Sequence, residues 1–424
     1  LAEVQDAGVE VRSRVLSNIF TMRLVAAAIV FTLAVLGALF IPTYSVDVRI
    51  GIAFASFSFL AIVLTQILQA PFQVAAEMHW PAVAEVIGRC VLVAGVGAVA
   101  WAGFGLHAIV LATVIANIVA FAITLRGVRR VLPMHLAFDT VLWRSMLARS
   151  WPIALSIIFN LVYLRADQVI LSVLRPAVDV GLYAAPYRII DVFTQFPHLL
   201  MGLVLPMLVA AWAAGDRVAF GRRLQRAFDG LALAAFPIAT GALILGTPIM
   251  VLVAGRDFAT SGAILAILSI ALLGIFLGQS FGYAVVAVGA QRKMLWGYAV
   301  VAVVTLVGYL VTIPIWSYWG AAWMTVVSEI AIATTTFAVV RSASGFRISL
   351  RVAGAALCAS VAMAIVLRVL PSIHVIFSTM IGACIYGACI LIFPASRKAL
   401  AIVVHRSASP SLPSLPTSVG KEGN

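Results

Sequence analysis

A chain of 424 residues would ordinarily make two or three soluble domains, but here 63% of the residues are hydrophobic and only 10% are charged. The mean hydropathy is +1.13, and soluble domains carry about 25% charge. Too little polar surface would remain to face water, so a soluble globule is excluded.

Twelve apolar runs are long enough to cross the ~30 Å hydrocarbon layer of a bilayer. In chain order they are 22–42, 50–70, 83–102, 104–125, 152–174, 186–213, 231–254, 262–289, 294–315, 319–340, 352–370 and 373–393. A backbone in lipid must satisfy its amides within the segment. Each run is therefore predicted to be a helix, and the fold class to be all-α, a polytopic membrane protein. Short loops bounded by Gly, Pro and charge separate the runs, such as 42–45 and 255–257. The outer loops leave no room for the large external domain in which membrane polymerases and glycosyltransferases usually keep their chemistry. The tail after residue 396, with Pro410, Pro413 and Pro416 among serines, is predicted to be disordered.

The net charge of +13 would suggest nucleic acid in a soluble protein, but its distribution says otherwise. With the N-terminus inside, the inner segments hold 21 of the 28 Lys and Arg residues. The outer loops hold only Arg49, Arg175, Arg256 and Arg368. Positive charge concentrates on the cytoplasmic side of membrane proteins, which places both termini in the cytoplasm. The basic excess is then a topology signal and a contact for anionic lipid headgroups, and no nucleic-acid partner is expected. Cys90, Cys358, Cys384 and Cys389 all lie inside apolar runs without ligand spacing. They read as small membrane-core residues, and neither metal nor cofactor is expected.

Shifting the chain by 215 residues lays the first four spans on 231–254, 262–289, 294–315 and 319–340. At one junction Trp101–Gly105 falls on Trp316–Gly320. The spacing implies a duplicated six-helix unit with parallel copies. The first copy then lacks an opening helix pair, and the chain begins with Leu. The expectation is a longer parent with about sixty more residues, two spans of ~20 with their connections. The domains so defined are an N-terminal lobe (1–140) with four of six helices, a C-terminal six-helix lobe (141–341), an appended pair (342–395) and the tail (396–424).

The stretch Ser150-Trp-Pro-Ile-Ala, Asn160, Asp167-Gln-Val-Ile-Leu171 and Val180-Gly-Leu-Tyr183 resembles the start of the second lobe of polysaccharide repeat-unit flippases. These belong to the multidrug/oligosaccharidyl-lipid/polysaccharide exporter superfamily. Gly255-Arg-Asp-Phe258, Ile264–Leu268, Ile313-Pro314 and Gly320-Ala-Ala322 follow the same pattern. The resemblance implies two six-helix lobes plus a final pair, fourteen helices in all, with alternating access between the lobes. It implies a bacterial cytoplasmic membrane location and a polyprenyl-diphosphate-linked oligosaccharide as substrate. Membrane lipids, and glycosyltransferases or a polymerase of the same pathway, are the further partners. A multidrug or cation antiporter of the same superfamily is the alternative, and a membrane polymerase the third reading. No covalent bond changes in transport, so no catalytic residues are expected.

Charges retained at mid-depth in a membrane, each costing ~2.5–3.5 kcal/mol on insertion scales, need a partner, a wet cavity or a function. Arg165 is too deep to reach the interface, and Asp167 points to a different side of the same helix. Asn160, Tyr163 and Asp167 share one face. Arg188, Asp191, Gln195 and His198 form a polar stripe on an apolar span, which should face water or protein. Each is weighed as a cavity residue against a buried inter-helix network. Glu85 and Arg89 are four apart and read as a local ion pair. Glu329, at the centre of its span, reads either as a carrier of a coupling proton or as a structural hydrogen bond. Trp80, Trp296, Trp316 and Trp319 fall near span ends and read as the aromatic belt.

Overall fold

The computed structural model describes residues 9–75, 79–370 and 374–392, with the side chains between 149 and 164 only partly described. The predicted disordered tail lies outside the described residues. Eleven helices follow one another among them. They are α1 (Val9–Leu39), α2 (Val46–Ala75), α3 (His79–Trp101), α4 (Leu106–Val131), α5 (Thr140–Leu174) and α6 (Ala177–Ala213). Then come α7 (Arg217–Ala254), α8 (Ala259–Ala287), α9 (Gln291–Ser344), α10 (Arg351–Val369) and α11 (Val375–Ile392). Ten are long and apolar enough to cross a membrane. Their outward faces carry residues such as Ile29, Val30 and Leu33 on α1 and Val303, Val307 and Leu310 on α9, all more than half exposed. Lipid, not water, suits such a surface. The fold is the expected all-α polytopic bundle.

The 54 residues of α9 would measure about 81 Å as one straight rod, far more than a bilayer. They do not form one. Ser317 has φ 52° and ψ −134°, and the two halves fold back on each other there. Gly308 faces Met324 and Gly297 faces Thr335, pairs equidistant from residue 316. The predicted spans 294–315 and 319–340 are thus the two arms of a hairpin. Between α3 and α4, Gly103 at φ 71° makes a comparable turn. There Gly88 meets Ala120 and Gly95 meets Ala112, small residues that let helices approach closely.

The chain divides into two compact units, Leu1–Leu155 and Ser156–Asn424. The first has a small core of Leu16, Leu64, Leu68, Phe72 and Val128, against which Trp80 packs. Trp80 also lies under the Arg130 guanidinium, 5.0 Å from its ring centre, so it contributes to helix packing as well as to a span end. In the same unit, residues 133–139 form an extended strap along α1. Ser13 bonds the Pro133 carbonyl, the His135 amide donates to Ser17 and the Ala137 amide to Thr21. Two residues of extended chain advance about 6.6 Å and four residues of helix about 6.0 Å. That near-match lets every second strap residue meet every fourth residue of α1. The strap ends where Asp139 takes Arg14 at 2.6 Å and caps α5 through the Leu142 amide at 3.0 Å. These two partners, the amide above all, hold the Asp139 carboxyl below the usual aspartate range.

In the second unit α8 is central, with Ile264, Leu265, Leu268, Leu272 and Phe276 all buried. It packs on α6, α7 and α9. Small residues make this possible: Gly246 on α7 and Gly262 on α8 bring those two backbones into direct contact. Helices α10 and α11 lie against α7, where Leu233 packs with Val352, Ala356 and Ile390.

Candidate functional site

The second unit contains a cavity of about 520 Å³ bounded by α5, α6, α8 and α9. Its polar wall comes from few residues in a strongly apolar bundle. Arg165 of α5 and Asp191, Gln195 and His198 of α6 all line it. Asp191, Gln195 and His198 share a face because they fall at i, i+4 and i+7. Glu329, Thr325 and Thr336 come from the second arm of α9, Tyr298 from the first arm, and Gln279 from α8.

Arg165 donates through Nη2 to Asp191 Oδ1 at 2.9 Å. Its guanidinium stands 5.8 Å from the Tyr187 ring centre, in cation–π range. Both partners of the ion pair are about 40% exposed to the cavity, 43% and 37%. The pair is therefore reachable, and the guanidinium fork keeps donors for a ligand. On the same wall, Gln279 Nε2 lies 3.2 Å from His198 Nε2, and His198 Nδ1 lies 3.5 Å from the Tyr283 hydroxyl.

Asp167, two residues from Arg165, serves a separate network. It is fully buried, and its Oδ2 accepts from Tyr183 at 2.7 Å and Tyr187 at 2.6 Å. Both phenols are 3.2 Å from Thr325 Oγ1, to which Tyr309 comes within 3.0 Å. Thr325 spends its own hydrogen on the Ala321 carbonyl, leaving its oxygen to accept. The network ties α5, α6 and both arms of α9 into one body around a carboxylate whose Oδ1 has no partner among the described residues. The roughly 200° between residues i and i+2 of a helix explains why Arg165 faces the cavity and Asp167 faces this core.

Glu329 is 6% exposed and lines the cavity. Among the described residues it has no hydrogen-bond or ion-pair partner. Its position depends on α8: a methyl added at Gly274 would come within 3.2 Å of Glu329, and one at Gly278 within 3.1 Å of Ala333. The glycines at 274 and 278 let that arm of α9 lie close enough to put a carboxylate at the cavity wall.

The structure brings together Arg165, Asp191, Gln195, His198 and Glu329, and sets Asp167 beside them. Arg188 is exposed and does not line the cavity, although it begins the same stripe; the partner of Asp191 is Arg165. Glu85 and Arg89 form their ion pair in the first unit at 2.8 Å, exposed. The side chains of Asn160 and Tyr163 lie outside the described residues. Sequence reasoning missed Tyr183, Tyr187, Thr325 and Gln279. Gln279 could have been noticed as a lone amide in an apolar span. The tyrosines carried no comparable signal, since a Tyr pair at i, i+4 is ordinary packing.

A multi-pass helical bundle with a partly open ion pair and a buried carboxylate around one cavity has the build of a membrane transport protein. The solved structure of a lipid II flippase, MurJ, in its inward closed conformation shares this fold: TM-score 0.73 and 15% identity over 94% of this chain and 86% of that one. Residues 2–212, half the chain, match the family model described as polysaccharide biosynthesis protein, and the chain belongs to that family. No curated protein matches it by sequence.

Proposed function

We propose that this protein carries polyprenyl-diphosphate-linked oligosaccharides across the bacterial cytoplasmic membrane by alternating access, for assembly of a surface polysaccharide. The observation that supports it most directly is the reachable Arg165–Asp191 pair in an apolar bundle. An arginine fork suits a diphosphate or a sugar hydroxyl, and Gln195, His198 and Gln279 add neutral donors and acceptors. The prenyl chain stays in lipid, and no covalent bond is made or broken, so no residue is assigned a catalytic role. Both termini are assigned to the cytoplasm. The site in the second unit comprises Arg165, Asp191, Gln195 and His198. Asp167 supports it from behind, and Glu329 is the coupling carboxylate.

The test is export of lipid-linked sugar by Arg165 variants, with membrane abundance measured beside it. Arg165→Ala should abolish export and Arg165→Lys retain part of it, because Lys keeps the charge and loses the planar fork. Normal export by Arg165→Ala at normal abundance overturns the assignment. A second reading, a cation antiporter, is favoured by Glu329, which has no partner among the described residues and lines the same cavity. It predicts that Glu329→Gln abolishes efflux of a cationic dye while glycolipid export is untouched.

A further inference from the structure

A second cavity, of about 720 Å³, lies at the other end of α6 from its connection to α7. It is bounded by the α5–α6 turn and the tip of the α9 hairpin, and its walls include Arg175, Asp179, Trp316, Ser317, Trp319 and Trp323. Neither the transport cavity nor any residue of the first site contributes to it. Its volume is within the roughly 300–1,000 Å³ of ligand pockets.

Three features set it apart from an ordinary helix end. First, three indoles converge within eight residues, and Trp316 and Trp323 remain 60% and 51% exposed. Membrane-interface tryptophans are spread around a protein, whereas these share one recess. Second, the Arg175 Nε is buried and has no hydrogen-bond partner among the described residues. Third, the wall contains Ser317, the one non-glycine residue with positive φ among those described. Its strain is held by a 2.5 Å hydrogen bond from Ser317 Oγ to Asp179 Oδ2. Such strain clusters at functional positions. A glycine would make the turn without it.

The chemistry of these groups selects among ligands. Asp179 lines the recess beside Arg175, so their charges offset and an anionic phosphate would be repelled by the carboxylate. A sugar ring has neither problem. Its axial C–H face rests on the negative face of an indole, and its hydroxyls accept from Arg175 and donate to Asp179, whose second oxygen is free of Ser317. We propose that this recess binds an uncharged oligosaccharide. If the transport reading holds, on which the identity of the ligand rests, it receives the sugar part of the substrate at the outer face, where Arg175 falls by charge distribution. The lipid-facing part of the same cargo has no groups to hold there.

The full chain in nanodiscs, labelled with a fluorophore, is screened on an array of bacterial surface glycans, and the affinity of the best binder is measured. Wild type should bind at least one glycan. Trp319→Ala and Arg175→Gln should each weaken it at least tenfold, and Trp319→Phe should restore stacking and most of the affinity. Binding to no glycan, or binding equally by Trp319→Ala and Arg175→Gln at normal abundance, overturns the proposal. So does a loss confined to binding of vesicles containing 30% phosphatidylglycerol, which would make the recess a lipid anchor. Export of lipid-linked sugar is measured on the same variants. Glycan binding by a chain that exports nothing defeats the transport reading alone; export with no glycan binding defeats the recess alone.

Discussion

Asp167 and Arg165 show how two charges two positions apart acquire different work. Arg165 reaches a partner that shares its cavity and remains open to it. Asp167 is sealed among Tyr183, Tyr187 and Thr325. Hydrogen bonds between helices in a membrane contribute about 1–2 kcal/mol each in model peptides. Tyr183→Phe removes one donor and leaves the carboxylate with Tyr187, whereas Asp167→Ala leaves two buried phenols without their acceptor. Asp167→Ala should therefore lower the thermal unfolding midpoint of the detergent-solubilised protein more than Tyr183→Phe does. Equal midpoints for the two variants would show that the tyrosines, and not the carboxylate, organise this core.

At the scale of elements, the strap 133–139 is held by side chains and not by a sheet. The Asp139 amide donates to Asn18 Oδ1 at 2.8 Å, and the Trp143 indole donates to the same oxygen at 3.2 Å. Asn18→Ala should expose both donors and speed hydrogen exchange at residues 135–143 severalfold, with the rest of the first unit unchanged. The Asp139 carboxyl titrates below its ordinary value. Its contribution to holding the strap is then fully present above the unfolded aspartate pKa of about 4 and lost as pH falls through the lower folded value. Strap protection in the wild type, corrected for intrinsic exchange, should fall as pH drops from 4 towards 3, and Asp139→Asn should show no such step. Ser13, Ser17 and Thr21 recur every four residues in the sequence. That spacing signals a buried polar stripe but cannot say that an extended segment 120 residues away covers it.

For the whole molecule, orientation is the property open to a direct check. Val178 on the α5–α6 side, Leu136 on the strap and Val218 at the start of α7 are all well exposed. Single cysteines there, in a background lacking the four native ones, should label from opposite sides. Val178→Cys should react in intact cells, and Leu136→Cys and Val218→Cys only after permeabilisation. Labelling of all three from one side would overturn the assignment of the termini to the cytoplasm. The ends of α6 agree with alternation, since 37 residues span about 55 Å.

Composition and apolar run length were enough to establish a polytopic helical membrane protein, because lipid permits only internally bonded backbone and spans are long, local signals. The polar stripe of α6 and the ion pair Glu85–Arg89 were equally legible, since both depend only on positions a turn or two apart. The partner of Arg165 was not, nor was the network around Asp167. Asp191 is 26 residues from Arg165, and Thr325 is 142 from Tyr183. Which carboxylate meets which cation depends on how α5, α6 and α9 pack, and the sequence offers several partners of equal chemistry. Arg188 illustrates the same limit. It shares a stripe with Asp191, yet the neighbouring helices decide where a cavity begins along that stripe, and they leave Arg188 outside it. The recess at the α9 hairpin required tertiary structure altogether, because the fold-back at Ser317 is what brings its tryptophans to Arg175.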